Sequence, residues 1–223
     1  MQEIRILKAW DETAQLRRLI LEAGEMKQAH TIPGQYLELS PGGELKSYFA
    51  LCNAPGTENF ELLVKRGNEV ADALAGKGDG DILQTKPPAG KGYPLAEAKG
   101  KDLLLFAVGS GIAPIRSVIQ HVLANRADFG KVIVYYGQQK AEDFAFTDEL
   151  AAWQKGTEVI RVCSQAGDDW KGPKGHVQDA FKADPPILGE AVAFVCGMKD
   201  MVAGVTEALE GAGVSKDKVF QNF

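Results

Sequence analysis

Six apolar residues run together at Leu103-Leu104-Leu105-Phe106-Ala107-Val108, and the chain then breaks at once into Gly109-Ser110-Gly111-Ile112-Ala113-Pro114. An uninterrupted apolar run of this length suits a strand covered on both faces, which implies a parallel sheet with helices on each side. Glycines directly after such a strand allow a tight turn and let an anion approach the backbone closely. Pro114 marks the first turn of a helix, where a missing N–H costs nothing. Ala113, before the proline, is expected outside the helical region. It also carries no side-chain acceptor, so the first helical N–H groups are expected to stay free for an external phosphate. Ile115, Val118, Ile119, Val122 and Leu123 then repeat at helical spacing.

The same alternation continues to the C-terminus. Residues 132–136, 159–163 and 191–196 read as strands, and residues 146–153, 177–181 and 199–209 as helices, which predicts a doubly wound α/β domain with a parallel sheet. Before residue 99 the pattern differs. Pro33-Gly34 predicts a type II turn leading into Tyr36-Leu37-Glu38-Leu39. Pro41-Gly42-Gly43 closes that run, Tyr48-Phe49-Ala50-Leu51 opens another, and residues 59–64 form a third, with a short helix over residues 70–74. Such spacing fits a small antiparallel barrel or sandwich. Leu16, Leu19, Ile20 and Ala23 fit helical spacing as well as a strand, so periodicity leaves residues 16–23 open.

Several function classes are excluded by composition. The 223-residue chain carries a net charge of −5 and no basic stripe interleaved with aromatics, so nucleic acid is not an expected partner. No apolar run approaches the roughly 20 residues needed to cross a bilayer. Residues 1–10 hold no apolar signal core, so a cytoplasmic location is expected, with a processed organellar protein the alternative. Cys52, Cys163 and Cys196 lie far apart, as do His30, His121 and His176, so neither a disulfide framework nor a metal or cluster site is expected. Pro114 stands where a third glycine would complete the usual dinucleotide fingerprint. The next strand ends in Tyr136-Gly137-Gln138-Gln139, with no acid to grip a ribose. Both features argue against an ordinary Rossmann dehydrogenase.

These residues resemble the ferredoxin–NADP reductase family. That family has Gly-x-Gly-x-x-Pro after the first strand of its nucleotide domain, as at Gly109 to Pro114. It has Cys-Gly-x-x-x-Met after a later strand, as at Cys196-Gly197-Met198-Lys199-Asp200-Met201. It also has Tyr-Gly followed downstream by Asp-Glu-Leu, as at Tyr136-Gly137 and Asp148-Glu149-Leu150, and a Pro-Gly-Gln leading into a barrel strand, as at Pro33-Gly34-Gln35. Within the family the chain is most similar to the small cluster-free branch that includes a plant plastid "fruit protein". That branch shares Gly-Ser-Gly-Ile-x-Pro-Ile-Arg-Ser (residues 109–117), Asp-x-Trp-Lys-Gly (residues 168–172) and a final Asn222-Phe223. The resemblance implies an FAD-binding β-barrel over residues 1–98 and an NAD(P)-binding α/β domain over residues 99–223. It also makes residues 16–23 a strand.

Roles follow from the resemblance residue by residue. The family's flavin motif, Arg-x-Tyr-Ser/Thr, is matched by Lys46-Ser47-Tyr48-Phe49. Lys46 would face the pyrophosphate with its charge kept but the bidentate fork lost. Tyr48 would stack on the flavin, and Phe49 stands where a hydroxyl sits near flavin N5 and has none to offer. Leu63, Val64 and Lys65 would flank the ribityl chain. Gly67, Asn68 and Glu69, at the start of the short helix, match a second phosphate contact through free N–H groups, with Glu69 an awkward neighbour for a phosphate. Cys196, followed by Gly197 and Met198, would pack beside the nicotinamide so that hydride passes from C4 to N5 at contact distance, which sets Cys196 and Phe49 nearest the hydride path. Phe223 would shield the flavin face. Ser164-Gln165 matches the Ser-Arg of NADP users without the Arg, while Lys171 and Lys174 supply charge nearby, and the choice between NADH and NADPH stays open.

The activity implied is hydride transfer from NAD(P)H to FAD, with electrons passed on to an external acceptor such as a small redox protein, since no cluster cysteines are present. Two alternatives stand beside it: a non-catalytic nucleotide- or partner-binding module on the same fold, and a reductase that treats flavin as a substrate.

Overall fold

The computed structural model describes residues 1–222. The N-terminal part is a six-stranded antiparallel sheet of β1 (Gln2–Asp11), β2 (Leu16–Leu21), β3 (Tyr36–Gly42), β4 (Leu45–Ala50), β5 (Phe60–Lys65) and β6 (Ile82–Thr85), ordered β4-β3-β6-β1-β2-β5. The chain bends into β3 through Gly34, at φ +92°, where the Gln35 N–H donates back to the Ile32 carbonyl. That is the turn expected from Pro33-Gly34. The sheet curls until its outer strands approach. Leu51 bridges to Leu62, and the Cys52 N–H donates to the Glu61 carbonyl at 2.8 Å, which gives the sheet its barrel form. Ile4, Ile6, Leu19, Leu37, Leu39 and Val64 fill the interior, and α1 (Glu69–Ala75) lays Ala71 and Leu74 on the same core. Residues 16–21 are a strand, as the family resemblance implied.

After α2 (Leu95–Ala98) the chain forms a five-stranded parallel sheet. Its elements are β7 (Asp102–Val108), α3 (Ile112–Ala124), β8 (Val132–Gln138), α4 (Leu150–Trp153), β9 (Glu158–Cys163), α5 (Val177–Ala183), β10 (Ala191–Cys196), α6 (Lys199–Gly211) and β11 (Val219–Phe220). The sheet order is β11-β10-β7-β8-β9, and every pair is parallel. The barrel-plus-doubly-wound architecture is therefore the one the sequence predicts.

Two local expectations are corrected. Ala113 lies inside α3, because a 3₁₀ turn over Gly109–Gly111 has already started the winding and burial of Ile112 and Ile115 outweighs the bias on a residue before proline. The helix expected over residues 146–153 shrinks to α4. Phe146 adopts φ +59°, which a helix cannot continue through, and its N–H donates instead to the Glu12 carboxylate at 2.7 Å.

The cores are not separate. Leu16, Cys52 and Leu63 of the barrel, and Tyr93 and Ala98 of the connecting segment, belong to one buried cluster with Leu103, Leu105, Ile115, Val118, Phe146 and Phe194.

Candidate functional site

β7 is flanked by β8 on one side and β10 on the other, so the winding reverses direction at β7. In such sheets the crevice at the carboxyl ends of the strands, at the point of reversal, is where ligands bind. Those ends carry Gly109 to Pro114 and Cys196-Gly197. The two segments touch: a Cβ on Gly111 would collide with the Cys196 carbonyl and lie 3.3 Å from its Sγ. A Cβ on Gly197 would lie 2.7 Å from Val108 Cγ2 and 3.0 Å from Met201 Sδ. Gly109 sits at φ +58°, a conformation that favours glycine. Neither the turn nor α3 is capped by a side chain, although the Ile112 N–H is already used by the Gly109 and Ser110 carbonyls. The donors available to an anion therefore begin with the turn, earlier than expected from the sequence.

The barrel reaches this cradle through Lys65, whose Nζ comes within 4.0 Å of the Cβ position of Gly109. Its neighbours do not follow it. Leu63 packs into the core shared with the α/β half, and Val64 into the barrel interior. Only their backbone is left for a ligand.

Cys196 is half-buried at the end of β10. Burial pushes its thiol up to about 11, against a smaller opposing pull from the Tyr93 hydroxyl. Tyr93 is fully buried, stacks on Phe194 at 4.7 Å and donates to the Val195 carbonyl at 3.2 Å. Gly34 makes room for that ring, since a Cβ there would lie 2.8 Å from Tyr93 Cδ2. Asn222 donates to the Gly34 carbonyl at 3.0 Å. Phe223 lies outside the described residues.

On the barrel, Glu38 and Tyr48 are directly opposed across β3 and β4, so they share a face with Lys46 and Tyr36. Tyr48 is 64 % exposed and meets Tyr36 edge-on at 5.2 Å. Lys46 Nζ lies 3.4 Å from Glu38 Oε1, and Lys86 Nζ lies 2.7 Å from Glu38 Oε2. The hydrogen bond and charge of Lys86, with Lys46 adding to them, hold the Glu38 carboxyl below its usual range. Ser47 is half-buried on the opposite face, and Phe49 points inward against the barrel core. Of the N–H groups expected to be free at Gly67-Asn68-Glu69, that of Gly67 is engaged by the helix's own side chain. The Gly67 N–H donates to Asp72 Oδ1 at 2.9 Å and the Ala71 N–H to Asn68 Oδ1 at 3.0 Å, so α1 caps itself with its own side chains.

At the end of β9, Ser164 and Gln165 are exposed on a loop zipped to the end of β8, their N–H groups donating to the Gln138 and Gln139 carbonyls at 3.0 and 2.8 Å. Beside them Phe144 and Trp170 stack at 5.5 Å, with the Arg161 guanidinium 5.3 Å from each ring centre. Lys171 and Lys174 are exposed on the same loop region.

The sequence reading missed the seam behind the site. Buried Arg116 bonds Glu149, the Cys52 carbonyl at 3.1 Å and Glu61 at 3.0 Å. Arg18 of β2 bonds Glu61 at 2.8 Å and Glu149 at 3.1 Å. Both guanidiniums lie against the Phe146 ring, at 4.7 and 4.8 Å. Ser117 donates to the Asn53 carbonyl at 2.7 Å. Only the position of Arg116-Ser117 within the glycine-rich motif hinted at this. Glu38 and Lys86 had no sequence signal.

Residues 105–207 match the family described as the oxidoreductase NAD-binding domain. The gamma subunit of sulfhydrogenase 1 from Pyrococcus furiosus is 29% identical, over 99% of this chain and 78% of its own. Ferredoxin–NADP reductase B from Sorangium cellulosum is 28% identical, over 88% of this chain and 86% of its own. The structure of a ferredoxin–NADP⁺ reductase from Neisseria gonorrhoeae, with FAD and NADP bound, superposes with a TM-score of 0.86 at 21% identity, covering 99% of this chain and 97% of that one. Over nearly its whole length the chain is similar to ferredoxin–NADP reductase-like oxidoreductases, and its second half carries the match to the NAD-binding domain.

Ferredoxin–NADP reductase-like proteins bind FAD and NAD(P)H, and the residues present fit both groups. The cradle at Gly109 and Gly111 is one that a Cβ would fill, and an ammonium from the barrel stands beside it. The barrel offers an exposed tyrosine ring between two lysines and a carboxylate. Among the described residues, no helix is long and apolar enough to cross a membrane.

Proposed function

We propose that this chain is an FAD-dependent NAD(P)H oxidoreductase that passes electrons to an external acceptor. In this reading residues 1–98 hold the flavin and residues 99–223 the nicotinamide nucleotide. The observation that carries it is the approach of barrel Lys65 to the Gly109 turn, which opens the barrel and the cradle onto one crevice. When bound there, FAD supplies hydride acceptance and onward release of electrons.

The chain's own residues bind and orient. The turn Gly109-Ser110-Gly111 receives the nucleotide's diphosphate on its backbone donors, Ile112, Ala113 and Pro114 carry the chain from it into α3, and Lys65 adds charge from across the crevice. Cys196, pressed against Gly111, fixes one wall of the nicotinamide pocket as a neutral thiol, and Gly197 and Met198 continue that wall. Tyr48 provides the ring against which a flavin stacks, Lys46 lies along its phosphate side, and Ser47, whose side chain is on the other face, offers only its backbone. Phe49 adds no hydrogen bond there, so proton delivery at the flavin falls to water or the acceptor. Ser164 and Gln165, with Arg161 and the Phe144–Trp170 stack nearby, border the adenosine end. The shared motifs at residues 109–117 and 168–172 support placing the chain in the cluster-free branch that includes the plant plastid fruit protein. An acceptor outside the chain follows from that.

Anaerobic titration of the FAD-loaded protein with NADH and NADPH in turn tests this. Bleaching of the visible flavin absorption by either nucleotide is the expected result, and the ratio of affinities identifies the physiological one. Protein that stays colourless and takes up no FAD would instead be a non-catalytic module on a reductase fold. FAD that reduces but dialyses away would mark flavin as a substrate.

A further inference from the structure

Among the groups on the flavin-facing side of the barrel, one has no place in the site as described. Glu38 is a carboxylate beside the lysine that stands where a diphosphate would be held. Its side chain is 9% exposed, while Lys46 and Lys86, which cover it, are 61% and 55% exposed. We propose that Glu38 competes with the flavin diphosphate for Lys46, and that the Glu38–Lys86 pair sets how long FAD stays bound. This rests on the flavin-binding reading of the barrel given above.

The geometry divides the two lysines unequally. Lys86 makes a close, charge-assisted bond to Glu38 Oε2 at 2.7 Å. Lys46 stands 3.4 Å from Oε1, and that oxygen is buried with no hydrogen-bond partner among the described residues. Oε1 is therefore under-satisfied and draws on the Lys46 ammonium, the group that would have to turn toward a phosphate. A diphosphate drawn to Lys46 also comes close to a carboxylate shielded from water, where repulsion is screened less than at the open surface. The trio carries one net positive charge, not two. A lysine cannot offset this with a bidentate fork. The start of α1 offers fewer donors than its position suggests, since Asp72 and Asn68 already take the Gly67 and Ala71 N–H groups.

Lys86 acts on FAD only through Glu38. By holding Oε2 it weakens the claim of the carboxylate on Lys46 and leaves that ammonium available. Without Lys86, Glu38 turns wholly to Lys46. Charges at positions 38, 46 and 86 are therefore coupled, and the coupling has a sign that simple loss of a surface cation does not share.

The test is the rate of FAD loss from the full chain, followed by the rise of free-flavin fluorescence after rapid dilution at low salt. Glu38→Gln is expected to slow the loss by about three- to five-fold, and Lys86→Ala to speed it by a similar factor, the range set by single partly exposed charge pairs. In the double variant the Lys86→Ala effect should vanish. Riboflavin, which has no diphosphate, should bind wild type and variants alike. FAD loss from Glu38→Gln as fast as from wild type overturns the proposal, as does a Lys86→Ala effect that persists without Glu38. If the wild type binds FAD and these results follow, only the role of Glu38 falls. If the wild type takes up no FAD under any condition, the flavin-binding reading falls and this inference with it.

Discussion

Arg116 and Glu149 meet fork to fork, Nε on Oε2 and Nη2 on Oε1, each at 2.7 Å. The same guanidinium touches the barrel at the Cys52 carbonyl and Glu61, so one buried side chain ties the parallel sheet's first helix to the barrel's closing strand. Both guanidiniums and Glu149 are held in their charged forms by this mutual pairing, against the cost of burial. Arg116→Met should therefore cost about 3 kcal/mol of stability, the low end for a broken buried pair because Arg18 still reaches both carboxylates. Arg116→Lys, which keeps the charge and loses the fork, should cost less. Urea denaturation of the three proteins checks the order.

His30 gives the fold a pH limit. It is buried at 4% exposure, lies edge-on to Phe60 at 6.1 Å, and burial depresses its pKa from 6.5 to about 4. The unfolded chain takes up the proton more readily than the folded one. Its stabilising contribution is therefore full above the unfolded value and is lost as pH falls from 6.5 toward 4. The loss amounts to about 3 kcal/mol. Denaturant midpoints measured across that window should fall steeply for the wild type and less so for His30→Gln.

Gly111→Ala places a methyl group against the Cys196 carbonyl. Overpacking of this kind costs roughly 1–3 kcal/mol, and here it would be relieved by prising the cradle from β10. Calorimetric titration should show NAD⁺ or NADP⁺ affinity reduced by roughly ten-fold or more, while FAD uptake is kept.

Lys65→Gln should weaken nicotinamide nucleotide binding by a few-fold and flatten its dependence on ionic strength, since the ammonium beside Gly109 is exposed and screened by salt. Kd measured at low and high salt for both proteins reads this directly.

The thiols should be chemically quiet. Burial pushes Cys196 up to about 11 and Cys52 up to about 12. Both should resist a thiol-modifying disulfide reagent at neutral pH, and the rate of flavin reduction should show no thiol ionisation between pH 6 and about pH 9. A thiolate-dependent rise in rate within that range would contradict the neutral, positioning role given to Cys196.

The α/β half was legible because its strands are buried on both faces and leave unbroken apolar runs, as at Leu103 to Val108 and Ala191 to Cys196. The barrel was harder to read. β1 alternates Ile4 and Ile6 with charged residues, and β6 offers only four residues, so neither stood out from loop. Residues 16–23 needed the family resemblance, since their apolar spacing fits two periods. The cradle was legible because glycine and proline act locally. Arg116, Arg18 and Glu149 were not, since their meaning arises where segments far apart in sequence meet. Glu38 was only one position in a strand run, and its role rests on its opposition to Tyr48 and its contact with Lys86. At Gly67 to Glu69 the donors of a helix start were visible, but the Asp72 carboxylate that takes the Gly67 N–H was not.

Leu16, Cys52 and Leu63 share their burial with Phe146, Ile115 and Phe194. A barrel expressed alone would expose that apolar face to water, and so would an isolated parallel sheet. The two halves should therefore melt in a single transition, and a nucleotide bound in either one should raise the melting temperature of both.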